Sequence, residues 1–364
     1  MTSVHQAVPV LLHADAIGDE TRAIRDGLRR RGLDSEIFML PQERAQPNLD
    51  ASARPLAELL TGANRGAIVL YHYALASQAT QLLLDSPLPL VLIHHNVTPA
   101  HWFHMIDPAH EAGMAAAATD LPLLRDRTSL ALGDSEYTRD ELEALGFFPT
   151  GVLPIVLDQA PYHEHRAGPL HREITVAPTL LTVGRVAPNK CIEDCIRLLA
   201  AYRVGVDSRA RLWIVGDADR LPVYRDALTR LVSRLGLDDA VHFAGRVTQQ
   251  DLIDCYRGAI AYVSMSEHEG FCVPLLEAMV CELPILAHPS TAVPFTLGGA
   301  GLQVSPKDFP LMAEALGLLL GDAVLLADHL ERGRRRAAEL APERSLDHLV
   351  DLLAPLHASP ESFR

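Results

Sequence analysis

The chain has 364 residues, 48% of them apolar and 21% charged, a balance that belongs to folded globular protein and excludes a disordered chain. Its formal charge is -14 and each half is net acidic, which disfavours a nucleic-acid backbone as partner. The length points to two domains, each with its own core. No apolar run reaches the roughly 20 residues of a membrane-crossing helix, and the amino terminus lacks a charged region before a long apolar core, so a cytoplasmic location is expected. The five cysteines, Cys191, Cys195, Cys255, Cys272 and Cys281, contain no C-x-x-C pair and read as reduced core thiols.

In chain order, Val8–Leu12 reads as the first strand, and Gly18-Asp19-Glu20 opens a helix to about Arg31. Gly18 near a helix start is either a phosphate or sugar contact or an ordinary βα-loop glycine. Arg22, Arg25, Arg29, Arg30 and Arg31 are either a solvated helix face or a patch for anionic lipid, which would make the protein peripherally membrane-associated. Apolar runs at Ser35–Leu40, Ala67–Tyr71 and Pro89–Ile93 alternate with helical patterns near 52–61 and 75–84. Such alternation predicts a parallel sheet with ligands at the carboxyl ends of its strands. One such end carries His94-His95-Asn96, with His101 and His104 close behind. From the residues alone these are metal ligands or ordinary loop histidines.

Leu130–Ser135 is another strand end, and the Thr138/Glu141 spacing predicts a capping box there. Val152–Ile155 reads as the last strand of the first domain, and 159–171 as a linker without periodicity. The alternation restarts at Thr179–Val183, followed by Gly184-Arg185 and, five residues after the arginine, Lys190. A glycine turn with two cations near a helix start suits a diphosphate: arginine grips oxygens bidentately and lysine acts as a point charge. A strand and turn at Arg211–Asp217 and a buried strand at Ala259–Val263 follow. The last of these runs into Glu269-Gly270-Phe271-Cys272 and a helix near Pro274, a turn expected to aim free backbone N–H groups at an anion. Glu277 lies about one turn inside that helix. Beyond a buried strand at Pro284–Ala287 the chain reads as helical from Phe309 to Leu356.

The phrase E-G-F-x-x-P-x-x-E-A-M, with Glu269 and Glu277 spaced as E-x7-E, resembles the signature of retaining, nucleotide-sugar-dependent glycosyltransferases of family 4 (glycosyl transferases group 1). Gly184-Arg185…Lys190 is similar to that family's G-R-x-x-x-x-K element. The resemblance implies a GT-B fold, α/β, with two doubly wound Rossmann-like domains facing across a cleft. The expected division is an acceptor-side domain at 1–155, a donor domain at 156–340 and a C-terminal helix at 341–364 crossing back to the first. It implies a retaining hexosyltransferase moving a hexose from a UDP- or GDP-sugar to a hydroxyl acceptor in glycan, glycolipid or other glycoconjugate assembly. Epimerisation of a nucleotide sugar, or sugar-nucleotide binding without turnover, are the alternatives.

By the same resemblance Arg185 and Lys190 neutralise the leaving diphosphate, Glu269 holds sugar hydroxyls and Glu277 the ribose. His95 faces the transferred sugar through side chain or backbone, with Asn96, Ser135 and Arg139 on the acceptor side. Gly18, Gly184, Gly270, Phe271 and Cys272 line the donor, and the main chain at Arg246 and Val247 meets the nucleobase. No cofactor is expected. No metal is expected either, because the cations supply the charge and no Asp-x-Asp metal motif is expected at a strand end.

Overall fold

The structure is a computed structural model and describes residues 3–13, 15–41, 49–164 and 167–357. Residues 165–166 of the expected linker and the last seven residues of the expected C-terminal segment lie outside the described residues. The chain divides into two units. The first comprises Met1–Ala100, Ala109–Asp158 and Leu340–Arg364, and the second His101–Pro108 and Gln159–Glu339. The assignment of 101–108 to the second unit has no counterpart in the sequence pattern.

The first unit contains seven parallel strands: β1 (Val4–Val8), β2 (Ile37–Met39), β3 (Arg54–Pro55), β4 (Ile68–Tyr73), β5 (Leu90–His94), β6 (Thr128–Gly133) and β7 (Thr150–Val152), in the order β3-β2-β1-β4-β5-β6-β7. The second contains six: β8 (Thr179–Val183), β9 (Arg211–Val215), β10 (Val241–Gly245), β11 (Ala261–Ser264), β12 (Ile285–Ala287) and β13 (Leu302–Gln303), in the order β10-β9-β8-β11-β12-β13. Both orders are doubly wound, reversing between β1 and β4 in one sheet and between β8 and β11 in the other. Strands such as β4 and β5 are buried along their whole length because helices cover both faces of a parallel sheet, which is why they read as unbroken apolar runs.

The first strand is β1 at Val4–Val8, not Val8–Leu12. His5 and Gln6 broke the apolar pattern there, yet both are buried. Leu12 makes only an isolated bridge to Leu49. The strand expected at Val152–Ile155 is β7 at Thr150–Val152. The helix after β6 starts one turn earlier than the spacing implied. Ser135 is its N-cap and Thr138 the reciprocal partner, so the capping box is Ser135/Thr138 rather than Thr138/Glu141. Within 159–171 the chain forms two short helices, Ala160–His163 and Pro169–Ile174.

The helix Ala16–Arg30 is N-capped by Asp15, whose side chain accepts from Gly18 N–H at 3.2 Å. A Cβ on Gly18 would sit 2.2 Å from the Leu12 carbonyl oxygen, so a close backbone approach by itself requires glycine there. Leu346, Leu349 and Leu353 of the last helix, Pro342–His357, pack with Ile24 and Leu28 into the first unit's core. Gly27 makes room for Leu346, whose Cδ1 is 2.3 Å from where a Cβ would be. In the second unit Leu180, Leu212, Ile214, Val263, Leu276, Leu286 and Leu316 are fully enclosed. All five cysteines are buried and free. Among the described residues no single helix is long and apolar enough to cross a membrane.

Candidate active site

In the second sheet the turns after β8 and β11 flank the point where the strand order reverses, the place at which open α/β sheets collect ligands. Gly184 leaves β8 with φ 138, a value for which a side chain would be strained. Gly216, at the end of β9, has φ 142, and a Cβ there would meet Gly184 O at 1.9 Å. The glycines let two strand ends lie backbone to backbone. The chain then enters the helices Ile192–Gly205 and Val273–Val280 through Cys191 (φ 47) and Cys272 (φ 71), both left-handed and neither capping with its side chain. For a non-glycine residue such a conformation costs roughly 1–2 kcal/mol and persists only where neighbours hold it.

Those neighbours form a latch between the two turns. Asn189 is buried; its side-chain amide donates to His268 O at 3.1 Å, and its carbonyl accepts from Glu267 N–H at 2.9 Å. Thr291 Oγ1 accepts from Glu269 N–H at 2.8 Å and donates to Glu269 O at 2.9 Å. The Glu269 amide, expected to be free for an anion, is therefore taken by Thr291. Ser290 ties Ser266 O at 2.6 Å.

On this frame Lys190 Nζ meets both oxygens of Glu269, at 2.7 and 2.6 Å. The carboxylate is 6% exposed and the lysine 19%. Glu267, two residues earlier, instead shares Lys307 with Asp194, each at 2.8 Å. The two glutamates of this turn thus have separate cations, and only Glu269 is joined to the β8 turn's lysine. Arg185 is exposed at the mouth of the same turn. Phe271 and Cys272 are buried; burial pushes the Cys272 thiol pKa well up and the Glu269 charge adds to it, so the thiol stays protonated. Glu277 is 7% exposed and accepts the hydroxyls of Tyr162 and Tyr256, one on each oxygen. At the end of β10, exposed Arg246 donates to Asp217 Oδ2 at 3.1 Å, and Val247 is partly exposed beside it.

An Asp-x-Asp pair does stand at a strand end, against the sequence expectation: Asp217-Ala218-Asp219, at the end of β9. Its carboxylates are engaged by the protein: Asp217 Oδ1 accepts Asp219 N–H at 3.0 Å and Arg220 N–H at 3.2 Å, Oδ2 takes Arg246, and Asp219 pairs with Arg225 at 2.7 Å.

At the strand ends of the first unit, His95 is enclosed, its side chain 3% exposed. The hydrogen bonds around it fix its protonation. Gln6 Nε2 donates to Thr21 O at 2.9 Å, which orients the amide so that Gln6 Oε1 accepts from His72 Nε2 at 2.9 Å. Burial, then the neighbouring His95, holds the His72 pKa well below its ordinary value, so that ring is neutral and its Nδ1 accepts from His95 Nε2 at 2.8 Å. His95 Nδ1 in turn faces Asp134 Oδ2 at 3.1 Å and Glu20 Oε2 at 3.5 Å. A ring that donates at both nitrogens is an imidazolium. Burial alone would lower the His95 pKa, but the Asp134 and Glu20 charges outweigh it and raise it to about 9. Burial raises Glu20 to about 8, and the Asp134 charge acts in the same direction. Glu20 Oε1 accepts Val156 N–H at 3.2 Å.

Ser135 spends its hydroxyl on the capping box, Arg139 pairs on the helix surface with Asp140 at 2.6 Å, and Asn96 follows His95 in a left-handed conformation, φ 68. The arginines of the first helix are largely neutralised within the unit: Arg22 by Asp19 and Asp50, Arg25 by Asp26, Arg29 by Glu36 and Arg31 by Asp347. Among the described residues two clusters bring three potential metal ligands together: Glu20/His72/His95 and Cys191/Asp194/Glu267. In the first, His95 and His72 share a proton; in the second, the Lys307 ammonium sits on both carboxylates.

Gln6, His72, Glu20, Asp134, Asn189, Thr291, Lys307, Tyr162 and Tyr256 were not found from sequence. Their partners lie up to 136 residues away, as Val156 does from Glu20, and no short spacing encodes that. The one local signal was Asp134, placed directly after a strand-ending glycine.

Residues 177–322, from β8 through the helix Phe309–Gly321, match the family model for glycosyl transferases group 1. The O-antigen chain mannosyltransferase B of Escherichia coli is 30% identical over 195 residues, covering 50% of this chain and 49% of that protein. The chain spans about half the length of the curated relatives it matches, 49% in this case. Among solved structures, sucrose-phosphate synthase from Thermosynechococcus elongatus aligns with a TM-score of 0.76 at 18% identity, over 98% of this chain and 100% of that one. Anabaena HepE in complex with UDP and glucose aligns with a TM-score of 0.74 at 16% identity, over 97% and 100%. The fold is GT-B: two parallel-sheet α/β units of Rossmann-like order.

Proposed function

We propose that this chain is a retaining glycosyltransferase that moves a hexose from a nucleoside diphosphate sugar to an acceptor hydroxyl, in the assembly of a glycan or glycoconjugate. The observation that carries the reading is the Lys190–Glu269 pair, held at the order-reversal point of the second sheet by the Asn189 and Thr291 latches. The match over 177–322 supports it, as do a relative named for mannosyl transfer and a fold neighbour solved with UDP and glucose.

The pair gives the mechanism its logic. Without donor, Lys190 is neutralised by Glu269. An arriving diphosphate offers the ammonium a more highly charged partner, and Arg185, exposed on the same turn, adds a bidentate grip. Glu269 is then released to accept the neutral hydroxyls of the sugar. As the bond to the anomeric carbon breaks, charge accumulates on the leaving diphosphate next to cations already in place, which lowers the barrier at that point. The acceptor proton passes to the leaving phosphate, so no side chain is assigned as general base. Glu277 holds the ribose, Gly184, Gly270, Phe271 and Cys272 line the donor, and the main chain at Arg246 and Val247 meets the base. His95 has its side chain enclosed, so its contribution is through the backbone that leads into Asn96. Gly18 also lies on the donor, while Asn96, Ser135 and Arg139 belong to the first unit's acceptor side. The reaction proceeds without a metal.

The test is nucleoside diphosphate release from a panel of UDP- and GDP-hexoses, with and without glycan or glycolipid acceptors. Lys190→Ala, Arg185→Ala and Glu269→Ala should each abolish or greatly slow release; turnover near wild type in all three would remove the proposal. The anomeric configuration of the product by NMR decides retention. Turnover lost in excess chelator and restored by Mn or Mg would overturn the metal-free mechanism.

A further inference from the structure

The carboxylate of Glu277 is held from both sides by phenols. Tyr162 donates to Oε1 at 2.5 Å and Tyr256 to Oε2 at 2.6 Å. Both rings are buried, at 1% exposure. They come from separate places in the chain: Tyr256 from the helix Gln249–Gly258, and Tyr162 from the short helix Ala160–His163 that opens the second unit's main segment. Each is braced in turn. Arg257, the neighbour of Tyr256, donates to Tyr162 O at 2.9 Å and to Cys281 O at 3.2 Å, and Cys281 closes the helix that carries Glu277. Burial first, and the Glu277 charge second, push both phenol pKa values upward, so both remain donors across the physiological range.

A lone glutamate turns its carboxylate plane easily, because the terminal torsion is broad and roughly two-fold. A carboxylate whose two oxygens each accept a rigid phenol has its plane fixed. A fixed plane matters for a ligand that presents two adjacent hydroxyls at a set separation, as the cis-diol of a ribose does. It matters far less for a ligand held by charge alone.

We propose that Tyr162 and Tyr256 are positioning residues that orient Glu277 toward the vicinal diol of the donor's ribose and thereby set discrimination between ribo- and deoxyribonucleotides. The inference rests on the reading of Glu277 as the ribose carboxylate. Neither tyrosine touches the donor; each acts through the glutamate.

Equilibrium binding of UDP and GDP, and of their 2′-deoxy and 3′-deoxy counterparts, to the full chain tests this in wild type, Tyr162→Phe, Tyr256→Phe and Glu277→Gln. A hydroxyl bonded to a charged group gives the wild type roughly a ten- to hundredfold preference for the ribo form. Each Phe variant should lower that ratio at least about threefold, one hydrogen bond being lost from the positioning of the carboxylate. Binding of inorganic pyrophosphate, which depends on Arg185 and Lys190, should stay as in the wild type, a contrast that a merely structural role would not produce. Because each tyrosine holds a different oxygen, one folded variant is sufficient, with folding checked by thermal melting. A folded Phe variant that keeps the wild-type ratio would overturn the positioning role while leaving Glu277 as the ribose carboxylate. A wild type without ribo preference, together with a Glu277→Gln variant that binds UDP and GDP as tightly as wild type, would remove the reading beneath it.

Discussion

The two units repeat one strand order but spend their polar residues differently where that order brings loops together. In the first, Gln6, His72, His95 and Asp134 form a hydrogen-bonded chain turned inward, with the imidazolium 3% exposed between Asp134 and the Glu20 carboxyl. In the second, Lys190 and Glu269 stand on turns whose left-handed cysteines are held by Asn189 and Thr291, with the lysine partly open to solvent. The first cluster fastens strands to a helix; the second leaves its lysine 19% exposed, and on the proposed function a ligand exchanges its partner there. A shared fold therefore says little about which end of a sheet does chemistry, and the state of the charges says much more.

Breaking the first cluster should cost stability most. Asp134→Ala deprives a buried imidazolium of its nearest carboxylate, and a loss of about 3–5 kcal/mol is expected for removing one partner of a buried pair. Hydrogen exchange of the β4 and β5 amides reads this locally, and unchanged protection would show the network to be incidental. Breaking the second should cost activity instead. Lys190→Ala should slow turnover about 10²–10³-fold, the scale for losing one preplaced charge-stabilising group. Exchange in β4 and β5 should not follow, and if it did the two clusters would not be separable.

The pH dependence sharpens the contrast. Values for His95 of about 9, against an ordinary 6.5, and for Glu20 of about 8, against 4.5, mean that the folded first unit holds protons which the unfolded chain releases. His95's stabilisation is complete below pH 6.5 and is lost as the pH rises through about 9, while Glu20 imposes a growing penalty between 4.5 and about 8. Between pH 6.5 and 8 both act in the same direction, at up to about 1.4 kcal/mol per pH unit for each group. His72, whose value is lowered, has the opposite sign: its contribution is present above 6.5 and lost in acid. Protection of β5 should therefore decline from pH 6.5 to 9, and the slope should flatten in His95→Gln. The smallest effect belongs to the surface: Arg25→Ala and Arg29→Ala should change stability by less than about 1 kcal/mol each, as exposed ion pairs do. Neither should alter sedimentation with anionic vesicles; clear loss of vesicle binding would restore the lipid patch that their pairing argues against.

The sequence by itself determined what depends on neighbours in the chain. Alternating apolar runs and helical stretches specify two doubly wound sheets, and β8 lies where its apolar run does, at Thr179–Val183. The turn carrying Glu269, Gly270 and the helix near Pro274 was legible because strand, glycine, proline and glutamate fall within a dozen residues. β1 was misread because buried His5 and Gln6 look polar until their partners 31 and 66 residues away are known. Only the tertiary structure decided that Glu269 rather than Glu267 pairs with Lys190, that His95 is a locked cation, and that two tyrosines hold Glu277. Hydrogen bonds and ion pairs act through space over about 3 Å, and which groups come that close is set by the crossovers of the sheet, not by any spacing along the chain.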